Sequence, residues 1–281
     1  MIIMYVYIIL LASLFSTIGQ YLDKHLVNLG VSKKDYCYYM CLSTIPFTIL
    51  MLIIEYFTQQ LRFYFYPLPF ILILFAMFFR YKKLYTVVGC LKHLNPYEDS
   101  AYLSLSVILA YIIDLILKIE TFNYISIISI ILTITGVFIL SSSKLKIRNL
   151  QKSLIIRILS SLMMGYVTHY ILQYWSNAFY MLLLNLMLTL IFSKDYTIKY
   201  NKEHSNIIKW VFIQQTFGFS FLYLSNYLSS NSVTLSSYIK PMSVIMVVIL
   251  SMFIKQKDKK PNIRQIIAII LVIFGVVLIN K

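Results

Sequence analysis

Three cations interrupt one of the most apolar runs in this chain. In FILILFAMFFRYKKLYTVVGCLKHL, residues 70–94, Arg80, Lys82 and Lys83 stand at the centre of a stretch long enough to cross a bilayer. A cation at the middle of a spanning helix costs about 2.5–3.5 kcal/mol on insertion scales. Such residues persist where they face a water-filled cavity, pair with an acid or bind an anion. At helical spacing Arg80 and Lys83 share a face with Ala76 and Val87, while Lys82 points nearly opposite, with Thr86 and Gly89. Arg80 and Lys83 are therefore candidate anion ligands. The competing reading starts the span earlier, at FYFYPLPFILILFAMFF (63–79), and leaves RYKK at an interface with Lys82 snorkelling.

A second candidate is Lys240. Pro241 has no amide to donate and disfavours helix at the residue before it. The small polar stretch SSNSVTLSSY precedes the pair, and a uniformly apolar run follows. A helix starting at Pro241 sets orphan N–H groups and a positive dipole end beside the lysine, which together attract an anion. Otherwise the span simply begins at Tyr238, with Lys240 at the headgroups.

In the first apolar run, Thr17, Tyr21 and Lys24 fall on one face, with Gln20 and Asp23 adjacent. Asp23 either caps the helix at the water interface or, deeper, partners Arg80 or Lys83 and couples a proton. His169 is a second coupling candidate, since histidine is the side-chain type suited to proton exchange, against a plain packing role. Gln214, Gln215, Tyr223 and Asn226 carry polar groups through one later run, as ligands or as links between helices. Asp114 reads as interfacial or ion-paired. Cys37 and Cys41 share a helix face without His, Asp or Cys to complete a metal set, so they read as buried small hydrophobes. The chain has no P-loop, no HExxH, no GxSxG and no dinucleotide fingerprint, so neither an enzyme nor a cofactor or metal is expected.

These residues need elements to hold them. Of the 281 residues 60% are hydrophobic and 12% charged, with mean hydropathy +0.79, which places the chain in the membrane class. Long Ile/Leu/Tyr runs without strand-like alternation favour helices over a barrel. The expected fold is all-α and polytopic, with ten spans near 4–23, 38–57, 68–92, 99–117, 122–142, 153–173, 177–194, 206–228, 232–254 and 262–280. The polar break SSSKLKIRNLQK (141–152) divides the chain into 1–143, a basic connection at 144–152, and 153–281. Tyrosines such as Tyr36, Tyr38, Tyr56 and Tyr64 cluster near span ends, as an aromatic belt would.

The halves look duplicated. IILTITGVFIL (130–140) and IILVIFGVVLI (269–279) share most positions, aligning Gly136 with Gly275, and Ser106-Val107-Ile108 matches Ser243-Val244-Ile245. Five spans per half would insert with opposite topology, giving two inverted five-helix repeats, a recurring plan of secondary transporters. A ten-span chain whose fifth and tenth spans end in Gly-Val-aliphatic resembles the drug/metabolite transporter superfamily, its EamA-like members most of all. Residues 232–279 are also similar to the nucleotide-sugar and triose-phosphate branch, whose ninth-span lysine falls on Lys240; Pro241 stands where triose-phosphate carriers have Arg.

Most Lys and Arg outside the runs fall in connections after odd-numbered spans; Arg62, Lys118 and Lys281 are the exceptions. The positive-inside rule then puts both termini outside the cytoplasm, whereas the resemblance implies the reverse. The net charge of +15 follows from these loops and fits anionic headgroups rather than nucleic acid. The expected function is alternating-access transport of a small polar solute across a plasma membrane, with an organic or phosphorylated anion preferred. Lys240, Arg80 and Lys83 would bind its charge, and Tyr21, Gln214 and Asn226 would orient it. The rivals are an EamA-type exporter of amino acids or drug-like cations, and a non-transporting envelope-assembly protein or lipid scramblase. Oligomeric state is left open.

Overall fold

The computed structural model describes residues 2–94, 96–141, 152–194, 202–253 and 263–278. All but one residue of the connection read at 144–152, and the basic stretch around Lys255–Lys260, lie outside the described residues. Among the described residues twelve helices follow in order: α1 Ile2–Asn28, α2 Lys33–Phe57, α3 Pro67–His93, α4 Pro96–Leu103, α5 Ser106–Ile116, α6 Tyr124–Ser141, α7 Lys152–Ile171, α8 Asn177–Ser193, α9 Lys202–Asn231, α10 Val233–Ser237, α11 Ile239–Phe253 and α12 Ile263–Leu278. The fold is all-α. Among the described residues the β-type pairing is a single isolated bridge, Phe63 to Trp175. Among the described residues, five segments are long and apolar enough to cross a membrane: Met4–Asn28, Lys33–Phe57, Glu98–Ile116, Lys152–Ile171 and Val233–Leu250.

Local chemistry sets the helix ends. Gly30, at φ +83°, turns the chain between α1 and α2, and Ser32 caps α2 by accepting from the Asp35 amide at 3.1 Å. Pro67 opens α3, where its missing N–H costs nothing. At the other end of α3, Lys24 donates its ammonium to the carbonyls of Leu91 (2.5 Å) and Leu94 (3.2 Å), supplying donors and positive charge where the helix dipole is negative. Lys24 thus works inside the fold rather than in a loop.

Two apolar runs are broken. The run near 99–117 divides into α4 and α5 after Leu103, and the run near 232–254 into α10 and α11 at Tyr238. Pro241 accounts for the second break, because its ring clashes with the carbonyl four residues back, that of Ser237.

The helices pack in defined pairs: α6 on α12, α3 on α7, α1 on α9, and α2 on α8. One core gathers Tyr36, Leu84, Trp175, Tyr180 and Leu188, and a second gathers Ile9, Val107, Tyr238, Ile239 and Val272. The outer faces are apolar, with Ile53, Phe57, Phe75, Ile131, Ile267 and Phe274 each at least 42% exposed, a surface suited to hydrocarbon rather than water.

The α6–α12 contact is the tightest. A methyl group on Gly136 would lie 2.7 Å from the carbonyl oxygen of Ala268, and one on Gly275 would lie 2.8 Å from that of Ser129. Ser129 also donates its hydroxyl to the Gly275 carbonyl at 2.6 Å.

Candidate functional site

Between the two cores lies a polar space built from α1, α2, α3, α7, α9 and the start of α11. It consists of two adjoining cavities of about 80 Å³ each, both lined by Arg80, Lys83, Ser161, Phe221 and Lys240. The first continues to Asp23, Tyr36, Arg157 and Gln214, and the second to Thr168, Asn226 and Ser229.

Arg80 sits near the midpoint of the continuous helix α3, and is 6% exposed. It and Lys83, three residues on, turn the same way into the cavity, as their spacing requires. Among the described residues neither meets a carboxylate at ion-pair distance. Lys82 points elsewhere, with its ammonium 5.5 Å from the Phe78 ring centre and 5.7 Å from that of Tyr81. The structure therefore divides RYKK as the helical wheel does. The helix itself does not end at Phe79, because α3 runs on to His93.

Lys240 lies in the first turn of α11. Its Nζ donates to Ser16 Oγ at 3.0 Å and lies 5.0 Å from the Phe221 ring centre. With the Gln20 amide oriented to satisfy its neighbours, its nitrogen donates to Ser100 Oγ (2.7 Å) and its oxygen accepts from Lys240 at 2.9 Å. All these partners are neutral, so the ammonium is solvated by hydroxyl, amide and ring without being neutralised.

Asp23 is 8% exposed, well inside the fold rather than at a helix-capping surface. The Tyr36 hydroxyl hydrogen-bonds its carboxyl group, and Oδ1 has no hydrogen-bond partner among the described residues. Its geometry pairs it with neither Arg80 nor Lys83. Gln214 lines the same cavity, 4% exposed, and its carbonyl oxygen has no partner among the described residues. Gln215 also lines the first cavity and is held there by accepting from Thr44 Oγ1 at 2.9 Å.

The other sequence candidates separate. Asn226 lines the second cavity and donates to Asn177 Oδ1 at 2.9 Å. Tyr21 is 38% exposed and lines neither cavity. It sits one residue from Gln20 on the helix, and that step turns it away. His169 Nδ1 lies 2.8 Å from the Ser229 carbonyl, and the side chain lines neither cavity. Asp114 is fully buried rather than interfacial. Its Oδ2 accepts from Ser232 Oγ (3.0 Å), Thr234 N (2.9 Å) and Thr234 Oγ1 (2.7 Å), binding the end of α5 to the start of α10.

The sequence reading missed an ion pair. Arg157, counted there among the loop cations, is 5% exposed on α7 and pairs with Asp99 on α4, itself fully buried. The two are 58 residues apart at the edges of different apolar runs, so no local pattern joins them. Its guanidinium lines the first cavity, where four basic side chains then face the single carboxylate of Asp23. Chemically, this is a site that attracts anions.

No protein-family model matches the sequence, and no curated protein does. Among solved structures, the chain is similar to a protein described only as "Crystal structure of protein", at TM-score 0.60 and 11% identity, over 95% of this chain and 97% of that one. The likeness extends over nearly the full length of both and establishes a shared helical fold.

Proposed function

We propose that this chain is a multi-pass membrane transporter of ten spans, which moves a small organic anion by alternating access between two inverted five-helix halves. The convergence of Arg80, Lys83 and Lys240 on one enclosed space carries the reading. Buried cations without acidic partners are costly in a low-dielectric interior, and a bound carboxylate or phosphate would relieve that cost. Gln214 and Asn226 would orient the solute through their amides. In the proposed cycle the helices part to admit the solute into these adjoining cavities of about 80 Å³ each. Alternating access requires such a motion.

Helix pairing supports the inverted repeat. Counting α4–α5 and α10–α11 as single spans, the first span of each half packs on the third of the other (α1 on α9, α7 on α3). Second packs on second (α2 on α8), fourth on fourth (α4 on α11, α5 on α10) and fifth on fifth (α6 on α12). The glycine contacts have the same reciprocity: Gly136 approaches Ala268 and Val272, while Gly275 approaches Ser129 and Thr133, each pair of positions 139 residues apart. A two-fold axis in the membrane plane produces that exchange. The plan is that of the drug/metabolite transporters, and the plasma membrane is the expected site.

In proteoliposomes, uptake of radiolabelled organic phosphates and carboxylates should saturate. Lys240→Gln and Arg80→Gln should each lower it at least tenfold, and equal uptake by wild type and both variants would overturn the anion reading. The open oxygen of Asp23 favours a second reading, export of a small cation, in which Asp23→Asn abolishes transport and the two cation variants do not.

A further inference from the structure

A second polar chamber lies away from the central cavity, where α2 ends and α8 begins. Its volume is about 350 Å³, and its walls include Glu55, Arg62, Trp175, Ser176, Tyr223 and Tyr227. It is firmly built. The backbone after α2 turns back through Gln59, at φ +57°, and Ser176 N donates to the Arg62 carbonyl at 2.8 Å. The Trp175 indole donates to the Tyr64 carbonyl at 3.2 Å, tying the α2–α3 connection to the α7–α8 connection.

Two buried oxygens in this chamber lack partners. Glu55 is 3% exposed, and its Oε1 accepts from Ala178 N and from the Tyr223 hydroxyl, both at 3.0 Å. Oε2 accepts from nothing among the described residues, and neither does the hydroxyl of Ser176, also 3% exposed, have a partner there. An unmatched buried acceptor is costly, more so when charged, so the chamber is short of a hydrogen-bond donor bearing positive charge. Tyr223 and Tyr227 offer aromatic surface for an aliphatic or cationic group. A bare metal ion would leave most of such a volume to water. Arg62, exposed on the wall, forms no ion pair among the described residues and would repel a simple cation. It would instead grip an anionic group with its planar fork.

We propose that this chamber binds a small zwitterion, its ammonium on Glu55 and Ser176 and its anionic end on Arg62, as a separate site from the central cavity. The two spaces communicate by one contact, since Asn177 lines the chamber, Asn226 lines the central cavity, and the two side chains hydrogen-bond.

Trp175 reports on the chamber once the other tryptophan, Trp210, is replaced. Trp210 packs against His25, with ring centres 4.7 Å apart, away from this site. Purified full-length Trp210→Phe protein in detergent would be titrated with L-leucine, with 3-methylbutylamine, which lacks the carboxylate, and with 4-methylpentanoate, which lacks the ammonium. The expected result is a saturable change in Trp175 emission with leucine, and at least tenfold weaker binding of both analogues. Adding Glu55→Gln should weaken leucine at least tenfold, with cooperative thermal unfolding retained. Arg62→Gln, at an exposed position that cannot disturb the core, should weaken leucine while leaving the amine unchanged. No saturable response to leucine, or leucine bound equally well after Glu55→Gln, overturns the site. An amine that binds as tightly as leucine overturns its zwitterionic character. None of these readouts depends on Lys240 or on anion transport.

Discussion

Lys240 hydrogen-bonds only neutral groups among the described residues, and that makes its replacement informative. Lys240→Gln keeps a hydrogen bond to Ser16 or Gln20 within reach, so stability should change little while anion uptake falls. Asp99→Asn should behave oppositely. It strands Arg157, 5% exposed, without a counter-charge, and breaking a buried pair in this way costs about 3–5 kcal/mol. The thermal unfolding midpoint of the detergent-solubilised protein should drop by several degrees, and Asp99→Asn combined with Arg157→Met should recover most of the loss. A third residue tests pH. Burial pushes the Glu120 carboxyl, in the α5–α6 connection, above its ordinary value of 4.5, helped by the nearby negative charge of Asp114. A raised pKa means the native state holds the proton more tightly. The native advantage is therefore full below the unfolded pKa and is lost as pH rises through the folded one. Glu120→Gln should stabilise the protein at neutral pH, and the gain should vanish near pH 4.

At the scale of the element, the α6–α12 seam depends on two absent side chains. A methyl on Gly136 would press on the Ala268 carbonyl at 2.7 Å, a backbone atom that cannot rotate away. Gly136→Val and Gly275→Val should therefore each force the pair apart, lowering the unfolding midpoint, whereas Gly89→Ala, with its nearest new contact at 3.7 Å on the flexible end of Lys33, should be tolerated. The apolar runs were legible in the sequence because length and composition suffice to mark them. The two breaks were legible unequally. Pro241 announces the one at Tyr238, but the α4–α5 break falls at Ser104, whose hydroxyl donates to the Ser100 carbonyl at 2.8 Å, and serine in an apolar run carries no such warning. Arg80, Lys83 and Lys240 could be singled out because cations are conspicuous in hydrocarbon. Asp99, Arg157, Glu55 and Asn177 could not, since each lies near the end of a run, where charge is ordinary, and only the packing of distant helices draws it inward. Tyr21 lines neither cavity although Thr17, four residues before it, is fully buried; helix spacing alone does not fix how far an inward face extends along the helix.

For the whole molecule, the connections between helices sort by charge. Moving Lys24 and Arg157 from the loops into the fold trims the basic side, yet Lys33 and Lys34 at the start of α2 and Lys92 at the end of α3 remain at that end. Under the proposed ten-span topology, the positive-inside rule would set that end in the cytoplasm and the chamber at Glu55 outside. Single cysteines in place of Arg62 and Lys34, on a cysteine-free background, should label oppositely with an impermeant thiol reagent applied to intact cells. Arg62→Cys should react and Lys34→Cys should not, and the converse pattern would invert the orientation.

The seam between α6 and α12 also has a consequence for biosynthesis. α6 emerges from the ribosome near the middle of synthesis, but the surface that receives Gly136 belongs to α12, the last helix described. Until α12 follows, the groove beside Gly136 lacks the helix that covers it. The two halves expressed as separate chains should therefore find each other in the membrane, while a chain stopped before Ile263 should be left waiting and be cleared by quality control.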